Sequence, residues 1–302
     1  MNSLITAKPQ MIKNNSTGES RLLLCTDMDR TIIPNGAQSE HSLARRQFNE
    51  FCNLPQVSLV YVTGRHQKLA KQAIKNYALP EPDYAITDVG TIIYRIQNQQ
   101  WQEIPDWGID IEKGWNGKTH SQLKALFSDI TELKLQQVDK QNIHKLSYYV
   151  STHVNEEKLL SLMTKRLDEK RVQSSLIWSI DEPKGIGLLD VLPKNATKLH
   201  AIEFLRQQLN YSLDEIVFAG DSGNDLPVLA SPIPSVLVAN ASPEVKKTAQ
   251  RLSNDNPHAL FLATGKQTNM NGNYAAGVLE GVSHFAPSFC THLEQIGFCD
   301  EQ

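Results

Sequence analysis

Leu22-Leu23-Leu24-Cys25-Thr26-Asp27-Met28-Asp29-Arg30-Thr31 decides the fold: a short apolar run stops at two acids two positions apart. Such a run, bounded by polar residues, reads as a strand covered on both faces, as in a parallel sheet. The same texture recurs outward from it. Ser58-Leu59-Val60-Tyr61-Val62 leads into Thr63-Gly64-Arg65 and then an amphipathic stretch with Leu69, Ala73, Ile74 and Tyr77 at helical spacing. Tyr84-Ala85-Ile86-Thr87, Leu188-Leu189-Asp190-Val191-Leu192, Glu215-Ile216-Val217-Phe218-Ala219 and Ser235-Val236-Leu237-Val238-Ala239 read as further strands, with a helix over 197–209. The expected fold class is α/β, a Rossmann-like parallel sheet with helices on both faces.

After Gly90 the pattern changes. Thr91-Ile92-Ile93-Tyr94-Arg95-Ile96 resembles one arm of a hairpin, and a tract with Trp101, Trp107, Gly108, Gly114, Trp115 and Gly117 follows. Helices over 122–135 and 156–170 and strands over 145–150 and 176–180 then predict an inserted α+β unit. The expected layout is a tail over 1–20, a core over 21–104 and 190–302, and an inserted cap domain over 105–189.

Composition narrows the function classes. The chain has 302 residues, 40% hydrophobic and 21% charged, with a net charge of −3. That balance gives no global attraction to nucleic acid or anionic membranes. No run approaches the ~20 apolar residues of a membrane span, and residues 1–20 lack the apolar stretch of a secretory signal, so they read as a disordered tail. Cys25, Cys52, Cys290 and Cys299 are scattered, without zinc spacing, which suits reduced thiols in a cytoplasmic protein.

Four polar signals each follow an expected strand, where an open parallel sheet binds its ligands. Asp27 can attack phosphorus as a carboxylate nucleophile, and Asp29 can pass a proton at the leaving oxygen. Thr63 can hold phosphoryl oxygens, with Lys198, on the first turn of a helix, neutralising them. Gly220-Asp221-Ser222-Gly223-Asn224-Asp225 supplies oxygens suited to Mg²⁺. Taken singly, each has a bland reading as a turn, a solvated lysine or a helix-starting loop. Four in order after four strands is a different matter.

The arrangement resembles the haloacid dehalogenase superfamily, in the motifs Asp27-x-Asp29-x-Thr31, Thr63, Lys198 and Gly220 to Asp225. The narrower similarity is to sucrose-phosphate phosphatases, through Tyr61 to Arg65, Pro82-Asp83-Tyr84, Val89 to Tyr94, Lys145 to Tyr149 and Tyr274 to Phe285. Leu199 stands where the family has a glycine, and His66 where the sucrose enzymes often have serine. The resemblance implies an Mg²⁺-dependent phosphatase acting through an aspartyl phosphate, its core closed by a cap. Asp27, Asp29, Thr63 and Lys198 would be catalytic, with Mg²⁺ held by Asp27, Asp29 and Asp221 and supported by Asp225. Thr31, Gly64, Arg65, Asn224 and Lys145 would bind substrate, and Trp115 and Tyr148 would line the sugar side or pack in the cap. The expected partner is a small sugar phosphate, sucrose 6-phosphate first, with mannosylfructose, glucosylglycerate, mannosylglycerate and trehalose phosphates as alternatives. The glycosyltransferase that makes the substrate is a further candidate partner. Three rivals remain: a phosphomutase with the same nucleophile, a non-catalytic partner protein and a response-regulator receiver, the last too short for the insertion.

Overall fold

A computed structural model describes residues 20–181, 184–266 and 270–298, so the expected tail lies outside the described residues apart from Ser20. Eight strands form the larger sheet: β1 (Leu22–Thr26), β2 (Val57–Val62), β3 (Tyr84–Thr87), β4 (Ile92–Gln97), β5 (Gln100–Glu103), β10 (Ile216–Gly220), β11 (Ser235–Leu237) and β12 (Leu260–Leu262). Their order is β12-β11-β10-β1-β2-β3-β4-β5, parallel up to β3, with β4 and β5 closing the edge as an antiparallel hairpin. This is the α/β, mostly parallel architecture that the apolar runs predict.

The alternation within β1 shows why it sits at the centre. Leu22 and Leu24 enter one core layer, with Phe48 and Phe51 of α1 (Ala44–Cys52) and Leu279 of α9 (Ala275–Phe285). Leu23 and Cys25 enter the other, with Ala201, Ile202 and Leu205 of α6 (Lys198–Gln208). A strand whose every residue is buried needs helices on both faces, and its carboxyl end is then the one place where its chain can turn polar.

The smaller sheet has the order β6-β7-β9-β8, all antiparallel: β6 (Lys134–Leu135), β7 (Leu146–Ser151), β8 (Ser174–Asp181) and β9 (Ile186–Pro193). One face packs on α4 (His120–Leu126) and α5 (Glu156–Glu169) through Leu123, Met163 and Leu167. Trp115 and Tyr148 are buried in this layer. The helix expected over 122–135 ends at Leu126, where Arg166 donates to the Leu126 carbonyl and Phe127 and Ile130 turn into the cap core.

Both expected junctions shift. Leu188 to Leu192 is not a strand of the parallel sheet; it pairs antiparallel with β7 and β8. Its run is mostly apolar because Leu189 and Val191 fill the cap layer while Leu192 reaches the layer under the parallel sheet, with Asp190 its one charged member. At the other junction, α3 (Pro105–Glu112) belongs to the parallel-sheet side, since Trp107 and Ile111 are buried in that same layer. Among the described residues no helix is long and apolar enough to cross a membrane.

Gly90 lets the start of α6 approach the turn after β3 closely. Its φ is +99°, and a Cβ there would lie 2.5 Å from the Thr197 carbonyl carbon, at the start of α6. The Trp107 indole donates to the Gly90 carbonyl at 3.0 Å. Gly90→Ala therefore meets both a backbone clash and a strained conformation. We expect a loss of about 2–4 kcal/mol in urea unfolding, and a variant of native stability would show that α6 does not need this close approach.

Candidate active site

The parallel pairing of β10, β1 and β2 brings the first, second and fourth polar signals side by side. Thr26 is in register with Ala219 and Tyr61, so Asp27 and Gly220 each lie one residue beyond a paired position and Thr63 lies two beyond. The Asp27 N–H donates to the Ala219 carbonyl at 2.9 Å. Lys198 enters from the first turn of α6, which Thr197 caps by accepting from the His200 N–H. Its ammonium is 2.9 Å from Asp27 Oδ1 and 2.8 Å from Asp225 Oδ1, and it donates to Asn224 Oδ1 at 3.1 Å.

Three buried carboxylates cluster here, and that one ammonium touches two of them, Asp27 and Asp225. Asp27, Asp221 and Asp225 offer oxygens all within 4.8 Å of one another. Burial pushes Asp27 upward against the pull of Lys198, and Asp225 and Asp221 add to the rise. Burial and Asp225 push Asp221 up to about 6. Burial works against the charged form of Lys198, yet Asp225 and Asp27 hold it above its ordinary value. Asp225 is the most committed of the three: its Oδ2 accepts from the Asp221 and Ser222 N–H groups, each at 3.1 Å. Gly220 permits that fold-back, because a Cβ there would stand 2.7 Å from Asp225 Cγ. Asp225 thus orients Lys198 and the loop, while Asp27 and Asp221 line the cleft.

Asp29 has a different environment. Arg65 clasps it through Nε to Oδ2 at 2.7 Å and Nη2 to Oδ1 at 2.5 Å, and Asn35 Nδ2 adds a bond to Oδ1 at 2.7 Å. Burial raises its pKa, but Arg65 and Asn35 outweigh that and hold it below the usual carboxylate range. Thr31 is buried and donates to Asp221 Oδ1 at 3.1 Å. Thr63 is buried as well, its hydroxyl accepting from the Arg65 N–H at 3.1 Å. Arg30, to which the sequence reading gave no role, brings its Nε to 3.5 Å from Asp221 Oδ2. Asn35 was missed too; the signal available was its place in the turn just beyond the acid motif.

The cleft over these groups has a volume of about 330 Å³ and is lined by Asp27, Asp29, Arg30, Gly64, Arg65, Leu69, Asp221, Ser222 and Asn224. All of these belong to the parallel-sheet side. A hard divalent cation fits the site chemically: the donors are oxygens, they are buried, and three carboxylates face a single buried ammonium. Asp27 and Asp221 would hold such an ion, with the Asp29 carbonyl as a third candidate.

Lys145 does not join this group. It is buried between Asp88, 3.7 Å away at the turn after β3, and Asp190 on β9, 3.8 Å away. Two carboxylates compensate the buried cation, which links the start of β7 in the smaller sheet to the turn after β3. Asn142 of the cap adds a bond to Thr91 Oγ1 at 2.9 Å. His66, just beyond the second motif, is held below its ordinary pKa by burial first and then by Lys140 and Lys145, against the opposing pull of Asp139.

The family model for sucrose-6F-phosphate phosphohydrolase matches residues 20–286. This chain belongs to that family. It is therefore a phosphatase of the haloacid dehalogenase type, and its substrate is a separate question. A HAD-like hydrolase of Nitrosococcus oceani is 47% identical over 277 residues, covering 91% of this chain and 75% of that one. Sucrose-phosphatase 1 of Nicotiana tabacum is 29% identical, covering 89% of this chain and 60% of that one, so the chain spans about three fifths of the tobacco protein. The sucrose-phosphatase of Synechocystis sp. PCC6803, solved in complex with sucrose and phosphate, superposes with a TM-score of 0.69 at 26% identity, covering 88% of this chain and 98% of that one.

Replacing Lys145 by Met leaves Asp88 and Asp190 without their buried counter-charge. Breaking a buried pair in this way costs roughly 3–5 kcal/mol, and denaturant unfolding of Lys145→Met measures it. Native-like stability in that variant would mean that Lys145 does not tie the two parts of the structure.

Proposed function

We propose that this chain is an Mg²⁺-dependent phosphatase that hydrolyses a phosphorylated disaccharide or glycosyl compound, sucrose 6-phosphate first, through an aspartyl phosphate on Asp27. The observation that carries the reading is the Asp27 carboxylate at the end of β1, on the cleft wall, with the Lys198 ammonium 2.9 Å away and Asp221 beside it. A buried carboxylate next to a cation is unsuited to simple packing and suited to in-line attack on phosphorus.

In this reading an Asp27 oxygen forms a bond to phosphorus as the bond from phosphorus to the sugar oxygen breaks. Asp29 gives its proton to the departing sugar oxygen, then takes one from the water that attacks the aspartyl phosphate and releases phosphate. Arg65 and Asn35 clasp Asp29 here and favour its ionised form, so the substrate must first draw Arg65 to itself and Asp29 must take up a proton, from water or the phosphate monoester, before it acts as the acid. Lys198 and Thr63 hold phosphoryl oxygens, Gly64 and Asn224 shape the cleft, and Thr31 and Asp225 keep Asp221 and Lys198 aimed. A bound Mg²⁺ supplies neutralisation of the phosphoryl charge.

The choice of a two-ring substrate rests on family membership and on the cap. The cleft of about 330 Å³ is lined from the core alone, which leaves the second ring to the cap when the two close. The glycosyltransferase that makes the substrate is the partner this reading calls for, and the scattered thiols suit a cytoplasmic location.

Asp27→Asn keeps the shape of the site but cannot attack phosphorus. Phosphate release is expected to fall by at least about a thousandfold with the unfolding midpoint retained, and residual turnover of more than a few per cent removes Asp27 from this role. For substrate, kcat/KM for sucrose 6-phosphate is compared with glucose 6-phosphate and fructose 6-phosphate, without a bisphosphate activator. We expect a preference of at least about tenfold, equivalent to ~1.4 kcal/mol in the transition state. Equal rates on the monophosphates defeat the two-ring reading; dependence on a bisphosphate would point to a phosphomutase.

A further inference from the structure

We infer that Arg30 is a resident counter-cation of Asp221 that yields to the metal and then serves the substrate's phosphoryl group, so that metal and phosphate bind with coupled affinities. The inference rests on the functional reading above and deepens it by assigning a residue that reading leaves unused.

Its backbone is the first observation. Arg30 adopts φ +58°, a left-handed conformation costly for a residue with a side chain. Two asparagines hold it there: its N–H donates to Asn35 Oδ1 at 2.9 Å, and its carbonyl accepts from Asn240 Nδ2 at 2.5 Å. Strain maintained by such support is characteristic of functional positions.

The side chain supplies the second. Its Nε stands 3.5 Å from Asp221 Oδ2, while Asp221 Oδ1 is taken by the Thr31 hydroxyl. The oxygen facing Arg30 is thus the one a metal would use. Guanidinium and Mg²⁺ are like charges competing for it, and the divalent ion wins.

Arg30 has somewhere to go, because its side chain is 47% exposed and it lines the same cleft as Asp27, Gly64 and Asn224. With its backbone pinned, the displaced guanidinium stays over that cleft, where its forked donors match phosphate oxygens. Metal binding then raises phosphate affinity, and by linkage phosphate raises metal affinity by the same factor.

The test is calorimetric titration of the full chain, first with Mg²⁺ alone and then with inorganic phosphate in saturating Mg²⁺. Arg30→Gln is expected to bind Mg²⁺ about fivefold or more tightly and phosphate about fivefold or more weakly than the native chain. Opposite shifts are not what general damage to the site produces. Unchanged or weaker Mg²⁺ binding overturns the counter-cation role, and unchanged phosphate binding overturns the second half. Should Arg30→Gln fail to fold, Arg30→Lys keeps the charge and loses the fork: Mg²⁺ affinity then stays within about twofold while phosphate weakens, and unchanged phosphate binding again overturns the inference. A native chain that binds neither ligand sinks the functional reading itself, whereas native binding that Arg30→Gln leaves unaltered sinks only the inference.

Discussion

Everything at the site depends on the burial of one ammonium among three carboxylates. Lys198 Nζ lies within 2.9 Å of both Asp27 and Asp225, and all three side chains are almost wholly withdrawn from water. Ions so withdrawn are costly unless each finds a partner. The fold meets that demand by converging three unrelated segments: the end of β1, the loop after β10 and the first turn of α6. Gly90 and Gly220 are the steric conditions for it, one letting α6 approach β3 and the other letting Asp225 turn back beneath the cleft. The remaining excess of negative charge is what a divalent cation would balance.

A second layer of support comes from near the end of the described chain. Asn240, itself buried, joins the Arg30 carbonyl to the Tyr274 N–H at 2.8 Å, and the Tyr274 hydroxyl donates to the Gln38 carbonyl at 3.0 Å. Asn271 and Asn273 both donate to the Ser39 carbonyl. Residues 30–39, which carry Arg30 and the Asn35 that touches Asp29, are thereby held by α9 and the loop before it. Glu280 of α9 in turn accepts from the Thr264 and Gly265 N–H groups. A segment more than 200 positions away thus hydrogen-bonds to the loop that follows the first acid motif.

Among the described residues the two sheets keep separate apolar clusters, and polar contacts run between them. Lys145 with Asp88 and Asp190, and Asn142 with Thr91, span the joint. Each part keeps its own core, with Leu192 the strand residue that crosses from one to the other.

The parallel-sheet class and the place of each acid are legible in the sequence, because an apolar run covered on both faces must end where the chain turns polar, and that pattern is local. Asp27 after Thr26, and Asp221 after Gly220, are legible in this way, as is Lys198 on a first helical turn. What those groups meet depends on how distant segments pack. The antiparallel pairing of Leu188 to Leu192 could not be read from its run, since burial on two different cores looks the same along the chain as burial in one sheet. Lys145 could not be placed because a buried cation is defined by its partners, here Asp88 and Asp190, which lie 57 and 45 positions away in sequence. Arg30 and Asn35 gave no periodic signal, and their roles come from a left-handed turn and from Asn240, contacts that exist only once distant segments are packed together.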